Sequence, residues 1–360
     1  MEKLLQNATD EDFLMHCYRT LFAREPDAEG MRHHLDALAR GMSRTALVQA
    51  FVASDEFAGK FNGGITPTSA AAQSAFQRFA PEGHFYSPIP AREDFGTKYD
   101  TLVLDDIDAE MANERTQLAL AAVFKRFYDE LPFPADATDG FRYYLNNGAF
   151  NYFDGIMLYC FIRLLKPRRI IEVGSGFSSA AMIDTCERFL QAETAITFIE
   201  PYPETLHKCL RPGDETRYTV IEKKVQDVPL DVFQALGKDD ILFIDSSHVA
   251  KFGSDVNHLL FKVIPQLQDG VVIHFHDIFR NFDYPPQWLN EGRAWNEGYL
   301  LRAFLMSNPD YRIQFFNDWF AHRHWDILER DMPLCTVQPH GSPFKNCGVS
   351  LWLRKGGDST

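Results

Sequence analysis

Apolar and polar positions recur along this chain on two different periods, and the change of period marks its main division. From about Thr9 to Phe61 the spacing is helical, with Phe13, Cys17 and Leu21 on one face and Met31, Leu35 and Leu38 on another. Ser43 and Ser54 stand where helix N-caps belong, and Gly30 and Gly41 punctuate, so this stretch predicts a unit of three or four helices. Arg24, Asp27 and Glu56 are read as residues that cap helices and hold the loop. Gly63 to Ala80 is rich in Gly, Ser, Thr and Ala and reads as a linker. A mixed stretch follows, with the string GHFYSPIP and a predicted helix over Asn113–Glu130.

From Tyr152 the pattern changes to short apolar runs separated by helical stretches such as Ser179–Gln191 and Asp255–Leu267. RRIIEVG, AITFIEP, YTVIEKK, DILFIDS and GVVIHFHD each read as a strand ending in polar residues. Strands alternating with helices predict a mostly parallel sheet with helices on both faces. The predicted division is an all-helical domain over 1–62, a linker over 63–81, an extension packed on the catalytic domain over 82–150, and the α/β domain over 151–356.

Ligands of such sheets collect at the carboxyl ends of the strands. Here those ends carry Glu172, Glu200, Asp245 and Asp277. After the first strand, Gly174-Ser175-Gly176 permits a tight turn and close approach of a ligand at a helix N-terminus, with Ser178 next in line. The usual dinucleotide turn needs a third glycine where Ser179 stands, so a pyrophosphate cradle is disfavoured. Glu200 can accept both hydroxyls of a ribose, and Gln226-Asp227 lies where a side chain would meet an adenine amino group. Together these positions fit an adenosine-containing ligand across the sheet edge.

Two resemblances rest on quoted strings. LFAREPDAEG with LARGMSRTALVQAFVASDEF resembles a bacterial helical domain of unknown function related to phycobilisome linkers, which implies interaction with another protein. EVGSGFSS, FIEP, FIDSSH and HFHDIF, in this order, are similar to class I S-adenosylmethionine-dependent methyltransferases of the subgroup with sugar and small-molecule O-methyltransferases. With GHFYSPIP and DYPPQW…WNEGYLL the strings look like bacterial proteins associated with polysaccharide biosynthesis. The resemblance implies a Rossmann-like domain binding S-adenosylmethionine, with Glu172 and Gly174 on the methionine side, Glu200 at the ribose and Asp227 at the adenine.

At the reaction centre, Asp245, His276 and Asp277 could supply ligands to one divalent ion, since relatives bind magnesium at the ends of these two strands. A histidine points to a softer ion such as iron or manganese, or to none. His274 is expected to be structural, within the sheet, and His276 to stand at the lip. His248 is the candidate general base, with an unperturbed pKa near ~6.5 suited to taking a hydroxyl proton. Tyr284, Trp288 and Glu297, in an aromatic and polar segment after the fifth strand, are the candidate substrate contacts. The expected reaction is methyl transfer to oxygen on a saccharide or related small molecule. A rival is an iron hydroxylase with His248, His276 and Asp277 as a two-histidine, one-carboxylate set. A second rival is a non-catalytic interaction protein.

Composition narrows the partners. Acidic residues number 50 against 36 basic ones, a formal charge of -14, and no basic run is concentrated enough to hold nucleic acid. The start, with Glu2, Lys3, Asn7 and Asp10, does not read as a secretory signal, and the apolar run Ile156–Leu165 is too short to span a membrane. Six scattered cysteines without a CxxC pair read as reduced cytoplasmic thiols, not as a disulfide framework or zinc site. A homo-oligomer is left open.

Overall fold

Parallel pairing is what the computed structural model shows for the first five strands. It describes residues 9–22, 24–52, 54, 79–190, 193–338 and 348–356. The chain divides into two units, Met1–Arg78 and Phe79–Thr360.

In the first unit, helices Asp10–Phe22, Ala28–Ala39 and Arg44–Val52 bury Phe13, Leu14, Cys17, Tyr18, Phe22, Leu47 and Phe51, with Met31, Leu35 and Leu38 half-buried against them. Asp27 caps the second helix by accepting from the Gly30 N–H at 2.8 Å, and Ser43 caps the third through the Ala46 N–H at 3.1 Å. The segment that Ser54 is expected to cap lies outside the described residues. The Ser54 Oγ donates to the Phe51 carbonyl at 2.6 Å. Glu56 and all but the last three residues of the expected linker lie outside the described residues.

In the second unit the strands are β1 Arg169–Val173, β2 Ala195–Ile199, β3 Thr219–Ile221, β4 Ile241–Ile244, β5 Val272–Phe275, β6 Tyr311–Phe316 and β7 Leu351–Lys355. Their order across the sheet is β3-β2-β1-β4-β5-β7-β6, with β7 antiparallel to both neighbours. The fold is therefore Rossmann-like, a mostly parallel sheet with helices on both faces. β1 pairs β2 on one side and β4 on the other, so the strand order reverses there and the loops after β1 and β4 part to leave a crevice.

Each strand feeds both cores because successive side chains face opposite ways. Ile170, Phe198, Phe243 and Trp352 bury on one side; Ile171, Ile199, Leu242, Ile273 and Leu353 bury on the other. That explains why the strands read as continuous apolar runs. The run Ile156–Leu165 belongs to helix Tyr152–Leu165, buried on nearly every side in the first core. Beside it packs helix Glu114–Tyr128, which also covers the open edge of the sheet. Asn113 Nδ2 donates to the Ile313 carbonyl at 2.8 Å, and Gln117 Oε1 accepts from the Phe316 N–H at 3.0 Å. The described cysteines are buried, and none of them forms a disulfide with another described residue. Among the described residues, no helix is long and apolar enough to cross a membrane.

Candidate functional site

The crevice after β1 and β4 is held open by backbone. Gly174 has φ +82°, and a Cβ there would collide with the Asp245 carbonyl, so the turn admits only glycine. Beyond it lies a cavity of about 420 Å³ lined by Gly174, Glu200, Tyr202, Gln226, Asp245 and Ser246, among others. Glu200 joins two of its walls, its Oε2 accepting from the Ser175 N–H at 3.1 Å and its Oε1 from the Tyr202 N–H at 2.8 Å. A carboxylate offers about four lone-pair sites, so two remain for a ligand. The Ser246 hydroxyl, on the cavity wall, is buried with no partner among the described residues. Larger hollows, of about 730 and 570 Å³, lie by Tyr99 and Asn281 and by Asn113 and Tyr311, without this convergence of glycine turn, carboxylate and hydroxyl.

Glu172 lies behind the turn and does not line the cavity. It is fully buried, its Oε1 accepting from the Ser178 hydroxyl at 2.5 Å and its Oε2 from that of Ser179. Burial pushes its pKa up to about 8, against the pull of those two hydroxyls. Glu172 and Ser178 therefore tie the first turn of helix Phe177–Phe189 to β1, and Gly176 donates to Ser179 Oγ at 3.0 Å in the same knot. Asp227 is also corrected. It is exposed in a short helical turn, and Gln226 lines the cavity instead, with its Nε2 on the Gly253 carbonyl at 2.8 Å.

The ends of β4 and β5 bring a second group together. His248 Nε2 lies 3.3 Å from Asp245 Oδ1 and 3.6 Å from Asp277 Oδ2, and its Nδ1 lies 2.9 Å from Glu297 Oε2. Burial alone would lower the His248 pKa, but hydrogen bonds to Asp245 and Glu297 and the charge of Asp277 raise it well above the usual value. The imidazole expected near neutrality is thus held as imidazolium among three carboxylates. Asp245 has the mirror-image balance: burial would raise its pKa, and the charges of His276 and His248 bring it below the ordinary carboxylate range. His248 and Asp277 both take left-handed backbone, each at φ +58°, an uncommon conformation that clusters at functional sites.

Asp245, His248 and Asp277 each offer an atom within 4.8 Å of the others, the spacing that could hold an ion. The expected set of Asp245, His276 and Asp277 is thereby corrected. His276 is buried with its ring 5.2 Å from Phe150, and its Nε2 lies 3.6 Å from Asp277 Oδ1. The iron set of His248, His276 and Asp277 is not assembled either. His274 is structural, as expected, stacked 3.7 Å from Phe243 with Nε2 against Ser350 Oγ at 2.9 Å.

Two expected substrate contacts are corrected as well. Tyr284 is buried, and its hydroxyl accepts from the Gly298 N–H at 3.1 Å. Glu297 is buried against His248. Trp288 is half-buried, 5.0 Å from Trp295 with Arg293 over its ring. Sequence reasoning missed Tyr202, Ser246 and Lys251 as cavity walls; only Tyr202 and Ser246 carried a signal, each following a strand-end acid.

Comparison with known proteins gives matches to both parts of the chain. Residues 171–278 match the family described as "Methyltransferase domain", and residues 1–61 match a domain of unknown function. An uncharacterized protein of Archaeoglobus fulgidus is 32% identical over 169 residues, covering 45% of this chain and 75% of that protein. Among solved structures, a Podospora anserina methyltransferase bound to SAH is 16% identical, covering 75% of this chain and 99% of that one at a TM-score of 0.36. A Streptomyces achromogenes O-methyltransferase of tomaymycin synthesis, in complex with SAM, is 14% identical, covering 74% and 99% at a TM-score of 0.36. The chain belongs to the family of the archaeal protein, and its residues 171–278 form a methyltransferase domain.

Proposed function

We propose that this protein is an S-adenosylmethionine-dependent methyltransferase acting on an oxygen of a saccharide or related small molecule. The observation that carries the reading is the cavity between the Gly174 turn and Glu200, opening beside Asp245 within the matched domain. Its donor set suits the cofactor. Glu200 keeps two lone-pair sites for ribose hydroxyls, Ser246 brings an unpartnered hydroxyl to the cavity wall, and the bare Gly174 turn leaves room that a side chain would fill. When bound, the sulfonium supplies an activated methyl group, so the protein's share is alignment and proton removal.

His248 is the residue in place to take the acceptor's proton, with Asp245 and Asp277 on either side of its Nε2. Asp245 and Asp277 would hold a divalent ion, which would supply polarisation of the acceptor hydroxyl. Two carboxylate oxygens beside an imidazole suit manganese or iron better than magnesium, which prefers oxygen throughout. Trp288 with Trp295 offers stacking surface for a sugar face. The helical unit is read as the part that binds another protein.

Isothermal titration with S-adenosylmethionine, with and without manganese, is the first test, followed by a screen of saccharide acceptors with labelled cofactor. Micromolar binding and label transfer are expected. No binding under either condition would overturn the reading.

A further inference from the structure

Glu297 opens helix Glu297–Leu305, where an acidic side chain ordinarily turns to water beside the helix's free N–H groups. This one is 1% exposed and turned to the imidazole of His248, while its Oε1 has no partner among the described residues. Packing alone does not call for a carboxyl group there. An apolar side chain of the same size would fill the space without leaving a buried oxygen unpaired.

The residues just before it grip the same histidine. The N–H groups of Asn296 and Glu297 donate to the His248 carbonyl at 3.0 and 3.2 Å, and the Trp295 ring lies 4.3 Å from the imidazole. Asn296 also pairs both ways with Ala250, its Oδ1 accepting from the N–H at 2.6 Å and its Nδ2 donating to the carbonyl at 3.2 Å. His248 needs such restraint, since its left-handed backbone costs on the order of 1–3 kcal/mol. Residues 295–297 thus fix backbone, ring plane and one ring nitrogen of a residue about fifty positions away.

We propose that Glu297 is the positioning residue of the reaction centre: by accepting the Nδ1 proton of His248, it leaves Nε2 as the ring atom turned to Asp245 and Asp277. The role attributed to His248 rests on the proposed methyl transfer; the hydrogen bond does not. A carboxylate behind a histidine fixes tautomer and ring orientation in the same way at many metal and catalytic sites.

The test is nitrogen-edited proton NMR of the full-length chain labelled at histidine, with the His248 signals assigned by His248→Asn. A far-downfield Nδ1 proton is expected in the wild type, and its loss in Glu297→Gln, whose amide can donate to Nδ1. S-adenosylmethionine affinity, read by calorimetry on the same samples, should stay within about twofold. A downfield proton that persists in Glu297→Gln overturns the proposal. Should that variant fail to fold, the wild-type spectrum decides, because the absence of a downfield Nδ1 proton overturns it equally. If the wild type shows that proton but binds no S-adenosylmethionine, the positioning stands and the functional reading falls.

Discussion

The two halves of the candidate site are built in different ways. The cavity half, at the ends of β1 and β2, is made by backbone turns whose members are close in sequence: Gly174 and Ser175 after β1, Glu200 and Tyr202 after β2. The charged half, at the ends of β4 and β5, depends on side chains from three separate segments, with His248 meeting Asp277 and Glu297. Local turns give a preformed cavity that tolerates change outside a few atoms. A network of charges is stable only as a whole, since removing one member leaves the others buried without a counter-charge.

The largest expected effect follows from that contrast. His248→Asn should destabilise the fold by about 3 kcal/mol near pH 6, because three carboxylates lose the cation between them. His248 has a raised pKa in the folded state, so its contribution is complete below the unfolded value and fades as pH rises through the folded one. Thermal melts of the two proteins should therefore differ most at pH 6 and converge at strongly alkaline pH. A gap that grows with pH would break the comparison.

In the cavity half, Glu200→Ala should leave stability nearly unchanged and weaken S-adenosylmethionine binding about 100-fold, the loss of one or two hydrogen bonds to a charged acceptor. Calorimetry reads this directly. An affinity within threefold of wild type would remove Glu200 from the cofactor site.

Glu172 sharpens the comparison, since it is the buried carboxyl behind the turn of the cavity half. Its carboxyl holds its proton up to about pH 8 when folded, against 4.5 for an ordinary glutamate, so the folded state loses stability as pH rises between those values. Glu172→Gln imitates the protonated form. Melts should lie close together at pH 5 and favour the variant progressively more as pH rises toward 8. A pH-independent difference would show that the carboxyl is not the titrating group.

The same contrast explains what was legible in the sequence. All five parallel strands could be read, because each is a short apolar run ending in a polar residue, and the Gly174 turn and Glu200 follow directly from those ends. β6 and β7 are not legible as strands; they pair antiparallel at the far edge, with helices Asn317–Arg323 and Trp325–Asp331 between them, so they do not follow the parallel strand–helix–strand rhythm of the first five. The charged half was half legible. Asp245, His248 and Asp277 lie at strand ends, but the choice between His248 and His276 depends on where the chain turns after β5, and Asp277 turns into left-handed backbone there. Glu297 sits in a segment of aromatic and polar residues that fits a lid as well as a binding surface. Its partner is 49 positions away, and no local period reports that.

The smallest effect separates neighbours in the cavity half. Asp227 was assigned to the adenine because it follows the third strand, yet it is exposed, and its N–H is spent on the Lys224 carbonyl at 2.9 Å. Gln226, one residue earlier, lines the cavity and ties its wall to the Gly253 carbonyl. In so short a helical turn, adjacent side chains point in different directions, so the strand end locates the contact only to within a residue. Asp227→Ala should change S-adenosylmethionine affinity by less than twofold, and Gln226→Ala should weaken it about fivefold, the net worth of one neutral hydrogen bond. If calorimetry gives the reverse order, the adenine end of the cavity lies on the outer side of this turn, and the wall formed by Gln226 and Gly253 belongs to the acceptor instead.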